Sequence, residues 1–274
     1  MSAFTELPEA EATGEIAAIY AEIRHFYGVP YVSSLQRHLA TIPGVLEWGW
    51  AAVRPAFASG ALPETAWEAA RESADLTPLP KLSPAAARLL GIAGAHVQRI
   101  REVCLSFETV APLNMAMGAT IRALLNGQQA GGAPAAGSAE WQPPEPLPPA
   151  PKTLHPDEVD ADTRAVLMQL AADMDQERFV PGLYRQLAHW PGYLAHAATQ
   201  IGPLIGAPEV EAKADGLRAG IAARSLALVA DLPPPPPPPA DAPAAHILAS
   251  IEAYQITSPQ MVFFGKLLRE ALPD

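Results

Sequence analysis

Few residues in this 274-residue chain have the type and spacing that metal or nucleophile chemistry needs. One acidic run lies near the middle of the chain and consists of Asp157, Glu158, Asp160 and Asp162. It lacks the glycine and the final glutamate of a calcium loop, so we interpret it as a solvated helix N-terminus. His189 and His196 flank Pro191, which favours a helix surface or interface over a metal site. Cys104 is the only cysteine, and its apolar helical context indicates a buried, unreactive thiol.

Motifs for phosphate binding, zinc-dependent hydrolysis and a nucleophilic serine are all absent from the sequence. We therefore expect neither a cofactor nor a metal ion. The net charge is −11 and no cluster of lysine or arginine is present, which argues against nucleic acid and anionic membranes as partners. The chain starts without a signal-peptide pattern, and no apolar run approaches the roughly 18 residues of a membrane span. These features predict a cytoplasmic protein.

Helical periodicity between prolines and glycines predicts an all-α fold, because alternating strand patterns are scarce. In the first half the predicted helices are Gly14–His25, Ser33–Thr41, Pro43–Ala58, Pro63–Leu76, Pro84–Leu90, Ala95–Phe107 and Pro112–Leu125. In the second half they are Asp162–Met174, Pro181–His189, Pro191–Ile205, Pro208–Val229, Ala244–Gln255 and Pro259–Leu272.

A repeated pattern, L-x-R-x-L-A-x-x-P-G-x-L, occupies Leu35–Leu46 and returns at Leu183–Leu194, 148 residues later. A second matched block, Phe107–Leu125 against Tyr254–Leu272, has an offset of 147. Chance similarity between Ala/Leu-rich helices does not explain why proline and glycine recur in step. We predict two tandem helical repeats, residues 1–126 and 157–274, packed as a pseudo-dimer with a pocket between them.

Residues 127–156 are rich in proline, glycine and alanine, which predicts an extended linker across the surface. A second proline segment, Pro233–Pro239, is a run of seven prolines in a predicted loop. Such a run suits a stiff spacer, and the alternative is a polyproline ligand for an SH3-type domain.

Three blocks of the sequence resemble a known family. The blocks are Tyr20-x-x-Ile23-Arg24 with Val29-Pro30-Tyr31-Val32 and Leu39-Ala40-Thr41-x-Pro43-Gly44-x-Leu46, then Pro78-Leu79-Pro80-x-Leu82, and finally Leu187-Ala188-x-Trp190-Pro191 with Tyr254-Gln255. In this order and spacing they resemble the group I 2-haloacid dehalogenases, all-α enzymes that act on both enantiomers. The resemblance implies a duplicated helical fold with the site between the repeats.

In that family an aspartate acts as general base on a water, which displaces halide from the carbon next to a carboxylate. Burial suits this role because it raises the pKa of the carboxyl group. Counted back from Trp190–Pro191, the aspartate position holds Leu183 and the neighbouring serine position holds Gly182. An asparagine that helps to hold the water is replaced by Ala111. Leucine cannot take a proton and alanine offers no side-chain hydrogen bond.

Two acidic residues could replace the missing base, Glu108 and Glu177. Asn114 lies one helical turn after Ala111 and could hold a water. The plainer interpretation is that Glu108 is solvated and that Asn114 satisfies local backbone groups. The resemblance and the repeat together predict a pocket lined by Tyr31, Ser34, Ala111, Asn114, Phe179, Gly182, Leu183, Tyr254 and Ser258.

The sequence thus predicts a relative of the group I 2-haloacid dehalogenases with a small organic acid as ligand. Two alternatives stay open: a non-catalytic ligand-binding or structural homologue, and an enzyme of different chemistry that uses Glu108 or Glu177. A homodimer is also left open.

Overall fold

A computed structural model describes residues 5–132, 141–174, 177–242 and 244–274. Helices make up most of the described chain, as predicted. Its helices are α1 (Gly14–Tyr27), α2 (Ser34–Leu39), α3 (Val45–Ala58), α4 (Ala61–Ser73), α5 (Pro84–Leu89), α6 (Ala95–Leu125), α7 (Ala161–Gln169), α8 (Gly182–Leu187), α9 (Pro191–Ile201), α10 (Pro208–Val229), α11 (Ala244–Gln255) and α12 (Ser258–Ala271). Among the described residues, no helix is both long and apolar enough to cross a membrane.

Several helix ends follow directly from local sequence signals. Helices α10 and α11 match the predicted bounds at both ends. Ser83 caps α5 by accepting a hydrogen bond from the backbone N–H of Ala86 at 3.1 Å. Asp160 caps α7 through the backbone N–H groups of Asp162 and Thr163, and these bonds lower the pKa of its carboxyl group. The acidic run is therefore a helix N-terminus, as predicted.

Helix α6 corrects the prediction of two helices separated near Phe107 and Pro112. It is a single helix of 31 residues that runs through Pro112. Proline lacks the N–H that would bond to the carbonyl of Glu108, which costs about 3 kcal/mol in a helix interior. Packing offsets this cost, because α6 is buried at Ile100, Cys104 and Leu113 and contacts α4, α10 and α12.

Two further predictions about local structure were wrong. Helix α3 begins at Val45 rather than Pro43, because Gly44 turns the chain in the left-handed region with φ of 73°. Helix α7 ends at Gln169, before the predicted Met174. An antiparallel hairpin follows, with β1 (Ala172–Met174) paired to β2 (Glu177–Phe179). Strands of three residues are too short to show the alternation by which a sequence reveals a strand.

Residues 141–147 of the linker lie along the surface of the first half. Leu147 donates its backbone N–H to the carbonyl of Gly28 at 3.0 Å. The Trp141 ring stacks on Phe26, with ring centroids 6.4 Å apart. These contacts lead the linker along the C-terminal end of α1 towards the junction of the two halves.

The seven-proline run packs on the first half of the chain. Trp48 on α3 donates its indole N–H to the carbonyl of Pro236 at 2.9 Å. Pro239 lies against Gly44 at the start of the same helix, where an added Cβ would come within 3.2 Å. The run thus bridges the second half to α3.

Elements at matched sequence positions form corresponding contacts. Helices α2 and α8 have the same length and start 148 residues apart, at Ser34 and Gly182. Helix α2 packs on α11 of the second half, and α8 packs on α6 of the first. Two outer cavities are also lined by positions at matching offsets, Leu105 in one and Glu252 in the other. This arrangement is what a duplication would produce, and the duplication itself stays a prediction.

Candidate functional site

A cavity of about 380 Å³ lies where the two halves meet. Its walls come from the start of α2, the middle of α6, the end of the linker, the start of α8 and the junction of α11 with α12. The residues predicted for the pocket that line it are Tyr31, Ser34, Ala111, Asn114, Phe179, Gly182, Tyr254 and Ser258. A volume near the lower end of the range for ligand sites suits a small molecule.

Helical spacing explains which residues of α6 face the cavity. Phe107, Val110, Ala111 and Asn114 line it, and they follow the i, i+3, i+4, i+7 pattern of one helix face. Gly182 at the start of α8 packs against the Phe107 ring, where an added Cβ would lie 3.0 Å from the ring carbons. A larger residue at 182 would therefore push the second half away from α6.

Leu183 lies in the core rather than at the cavity. Its side chain is 0% exposed and is not among the residues that line the cavity. The side chain of Leu183 therefore neither fills the cavity nor contacts a molecule bound in it.

Glu108 lies on the opposite face of α6, in a separate outer cavity. Its carboxylate forms a two-point ion pair with Arg269 of α12, with N–O distances of 2.8 and 3.1 Å. This bond raises the pKa of Arg269. Glu108 is thus directed at α12 and away from the central cavity. Glu177 begins β2, and its side chain lies outside the described part of the structure.

Asn114 belongs to a closed ring of polar side chains at the cavity wall. Its amide nitrogen donates to the Ser33 hydroxyl at 2.8 Å, and the Ser33 hydroxyl donates to the Oε1 atom of Gln36. Gln36 completes the ring by donating from Nε2 to the Oδ1 atom of Asn114 at 2.7 Å. Tyr27 also accepts from Gln36, at 3.1 Å. The ring fixes Asn114 so that its second amide N–H is available for a ligand.

Aromatic rings close two sides of the cavity. Tyr31 packs on Phe107 with centroids 5.6 Å apart, and Phe179 meets Tyr254 edge to face at 6.0 Å. Burial raises the pKa of both tyrosine hydroxyls, so they stay neutral at physiological pH. The tyrosines provide apolar surface and neutral hydroxyls rather than charge.

Charged groups at the cavity are mostly paired. Glu9 forms an ion pair with Arg24 and accepts the backbone N–H of Val32 at 2.8 Å. Arg37 binds Glu6 at 2.6 Å. Lys152 forms an ion pair with Glu158. Each cation at the cavity edge thus has a carboxylate partner.

Arg185 differs from these cations. It stands 148 residues after Arg37 and is partly buried behind the cavity wall. Among the described residues it forms no ion pair, and burial lowers the pKa of its guanidinium. Its Nε donates to the carbonyl of Leu154 at 2.7 Å. The carboxylates that act on Arg185 are Glu6 and Glu158, and each is already paired with another cation.

The end of the linker forms one wall of the cavity and is bonded to the second half. His189 donates from Nε2 to the carbonyl of Lys152 at 2.8 Å. Gln186 on α8 donates from Nε2 to the hydroxyl of Thr153 at 3.2 Å. The linker is thus part of the site, which the composition of residues 127–156 did not indicate.

Sequence reasoning missed several polar residues of this site, among them Arg37 and Gln186 in the wall and Gln36 and Arg185 behind it. The arginines offered a signal, because they are the charged position preserved in both copies of the repeated motif. The glutamines offered none, since their roles depend on tertiary contacts.

Glu9 is the only acidic residue among the described lining residues. Its carboxylate is already bound by Arg24 and by the backbone N–H of Val32. Nor do the described residues include a group of three or more metal-ligating side chains.

Comparison of this chain with known proteins identifies its fold. No family model matches the chain, and no curated protein does. Solved structures do match. A D-2-haloacid dehalogenase mutant in complex with D-2-CPA is 20% identical, with 98% of this chain and 95% of that chain covered and a TM-score of 0.76.

Two further structures give the same result. A D-2-haloacid dehalogenase mutant is 19% identical, with coverage of 98% and 95% and a TM-score of 0.74. A D-2-haloacid dehalogenase in complex with L-LA is 21% identical, with coverage of 98% and 96% and a TM-score of 0.69. The chain therefore has the fold of the D-2-haloacid dehalogenases over nearly its whole length.

Proposed function

We propose that this chain is a relative of the 2-haloacid dehalogenases, close to group I, that binds a small carboxylic acid in the central cavity. We further propose that it does not hydrolyse the carbon–halogen bond in one step. The cavity size, the fold and the polar wall all support a small, partly polar ligand.

The observation that carries the proposal is the positive charge of the wall. Arg37 lines the cavity, and its Nε has no hydrogen-bond partner among the described residues. Arg185 stands behind the same wall without an ion pair in the described chain. A carboxylate bound in the cavity would be attracted by the guanidinium of Arg37 in the wall and, at longer range, by that of Arg185.

The loss of hydrolysis rests on the missing base. The family resemblance assigns the position of the aspartate to Leu183, which is buried in the core. Glu108 binds Arg269 on the far side of α6. A water in the cavity therefore meets no free carboxylate among the described residues.

Isothermal titration of the protein with propionate, lactate and 2-chloropropionate tests the binding, and chloride release from 2-chloropropionate tests the chemistry. We expect saturable binding of the acids and no chloride release above the uncatalysed rate. Propanol, which lacks the carboxylate, should not bind.

Substitutions at Arg185 test the role of charge. Arg185→Met should weaken acid binding about tenfold, whereas Arg185→Lys keeps the charge and should lose about threefold at most. Arg88→Met, at an exposed position on α5, is the matched control and should change nothing. Equal losses for the methionine and lysine variants would show that the Leu154 contact, not the charge, is what matters.

A further inference from the structure

The outer cavity that contains Glu108 lies on the side of α6 away from the central cavity. Its volume is about 380 Å³, within the range of small-molecule sites. Its walls come from α4, α6, α12 and the linker. The α4 wall follows the i, i+3, i+4, i+7 spacing of one helix face and consists of Trp67, Ala70, Arg71 and the C-cap residue Ala74.

Lys266 places a positive charge in the wall of this outer cavity. The residue is half-buried on α12, and its Nζ donates to the carbonyl of Ala74 at 3.0 Å. An ammonium group has three donors, so this bond leaves two of them for another acceptor. Lys266 forms no ion pair within the described ranges of the chain.

Arg71 adds a second cation to the same cavity. It is exposed and lies one helical turn before Ala74, whose carbonyl binds Lys266. It too has no ion-pair partner among the residues that the structure describes. Glu108 also lines the cavity, but its carboxylate is bound at two points by Arg269. An anion could therefore bind both cations without displacing an ion pair.

The rest of the wall is apolar and partly aromatic. Trp67 donates its indole N–H to the carbonyl of Thr109 at 3.0 Å, which holds the ring in the wall with its polar atom already used. Pro144 of the linker, Leu105 and Val262 supply further apolar surface. An indole ring and a proline ring provide the flat apolar contacts that an aromatic ligand prefers.

The cavity at matching positions in the other half has different chemistry. Its arginines are engaged in ion pairs. Arg218 binds Asp215 with an N–O distance of 2.7 Å. Arg122 binds Glu252 with an N–O distance of 3.5 Å. The unpaired cations and the indole ring are therefore particular to the cavity at α12. At offsets of 148, 148 and 147 residues, Arg71, Trp67 and Lys266 correspond to Ala219, Asp215 and Ala119.

We propose that the outer cavity at α12 binds an aromatic carboxylic acid, with the carboxylate at Lys266 and Arg71 and the ring against Trp67 and Pro144. The carboxylate accepts from the free ammonium donors and from the guanidinium group. A neutral aromatic molecule lacks this attraction, and a short aliphatic acid lacks the ring contact. This cavity is separate from the central one, so the inference does not depend on the proposed function.

The test is calorimetric titration of the full chain with phenylacetate and with phenylacetamide, which has the same shape without the charge. Excess propionate, which has no ring, is present throughout to occupy the central cavity. We expect saturable binding of phenylacetate and at least tenfold weaker binding of the amide. Equal affinities for acid and amide would overturn the role of the cations, and no binding of phenylacetate would overturn the site itself.

Substitutions assign the binding to this cavity. Lys266→Met should weaken phenylacetate binding about tenfold, whereas Lys266→Arg keeps the charge and should lose about threefold at most. Trp67→Leu should weaken it about fivefold through the lost ring contact. Lys213→Met is the matched control and should change nothing, because Lys213 is half-buried on α10 and lines neither of these cavities.

Arg71→Met separates binding from folding. Lys266→Met also removes the bond to Ala74, so its thermal unfolding must be measured. Arg71 is exposed, and its replacement should leave thermal unfolding unchanged while phenylacetate binding weakens about threefold. Added salt should reduce the affinity of the wild type more than that of this variant. Unchanged phenylacetate binding in both Lys266→Met and Arg71→Met would place the acid elsewhere and overturn the proposal.

Discussion

The two buried glutamines predict opposite effects of the same substitution on stability. Gln36→Met removes the amide that links Ser33, Asn114 and Tyr27. Gln186→Met removes an amide with one hydrogen bond, to Thr153, and with an oxygen that has no partner in the described chain. Methionine has nearly the same length and volume, so cavity formation contributes little in either case.

The magnitudes follow from the groups left behind. In Gln36→Met, the Tyr27 hydroxyl, which is 1% exposed, loses its donor, the Asn114 Oδ1 atom loses its donor and the Ser33 hydroxyl loses its acceptor. Each unsatisfied group costs about 1–3 kcal/mol when fully buried, so we expect a loss of about 2–4 kcal/mol. In Gln186→Met, the lost bond costs about 1 kcal/mol, and removal of the unsatisfied oxygen returns about 1–3 kcal/mol. That variant should be between neutral and about 2 kcal/mol more stable.

Urea unfolding followed by circular dichroism at 222 nm measures both free energies, with no added acid in the buffer. The contrast between the variants is the result of interest, because the two substitutions are chemically identical. A loss of more than about 1 kcal/mol for Gln186→Met would refute the reasoning, since it would mean that the Gln186 oxygen is hydrogen-bonded in the folded protein.

Three other predictions concern the core and the proline run. Leu183→Asp should lose about 3–5 kcal/mol of stability and release no halide from 2-chloropropionate, because the new carboxylate would be buried without a partner away from the cavity. Halide release by that variant would contradict the placement of Leu183. Trp48→Phe should lower the free energy of unfolding by about 1 kcal/mol through the lost bond to Pro236, and an unchanged value would show that the run is not held there. Burial raises the pKa of the Cys104 thiol to about 12, so at pH 8 it should react with a disulfide reagent only as fast as the protein unfolds; prompt labelling of the native state would contradict its burial.

Local signals predicted the helices well where capping decided their ends. Pro208 at the first position of α10 and Ser83 before α5 are such cases. Tertiary packing overrode local signals in α6, where buried contacts on both sides of Pro112 keep one continuous helix. The hairpin at Ala172–Phe179 escaped prediction because its pairing is confined to three residues in each strand.

In the candidate site, too, sequence signals identified some residues correctly, and tertiary packing decided the others. Position in the repeat and family resemblance indicated Tyr31, Asn114 and Tyr254, which line the cavity. Those signals also suggested Glu108, but the side-chain direction on α6 turns it towards Arg269. The spacing of residues shows which of them share one face of a helix. It does not show which part of the protein that face meets, because this depends on the neighbouring elements. For Glu108 the deciding neighbour, Arg269, is 161 residues away.

The measurement that tests the account most directly is a calorimetric titration of the wild-type protein with lactate and propionate, with chloride release from 2-chloropropionate followed in parallel. The account predicts saturable binding with one site per chain and no enzymatic chloride release. Heats no larger than dilution for every acid, or turnover of 2-chloropropionate by the wild type, would contradict it.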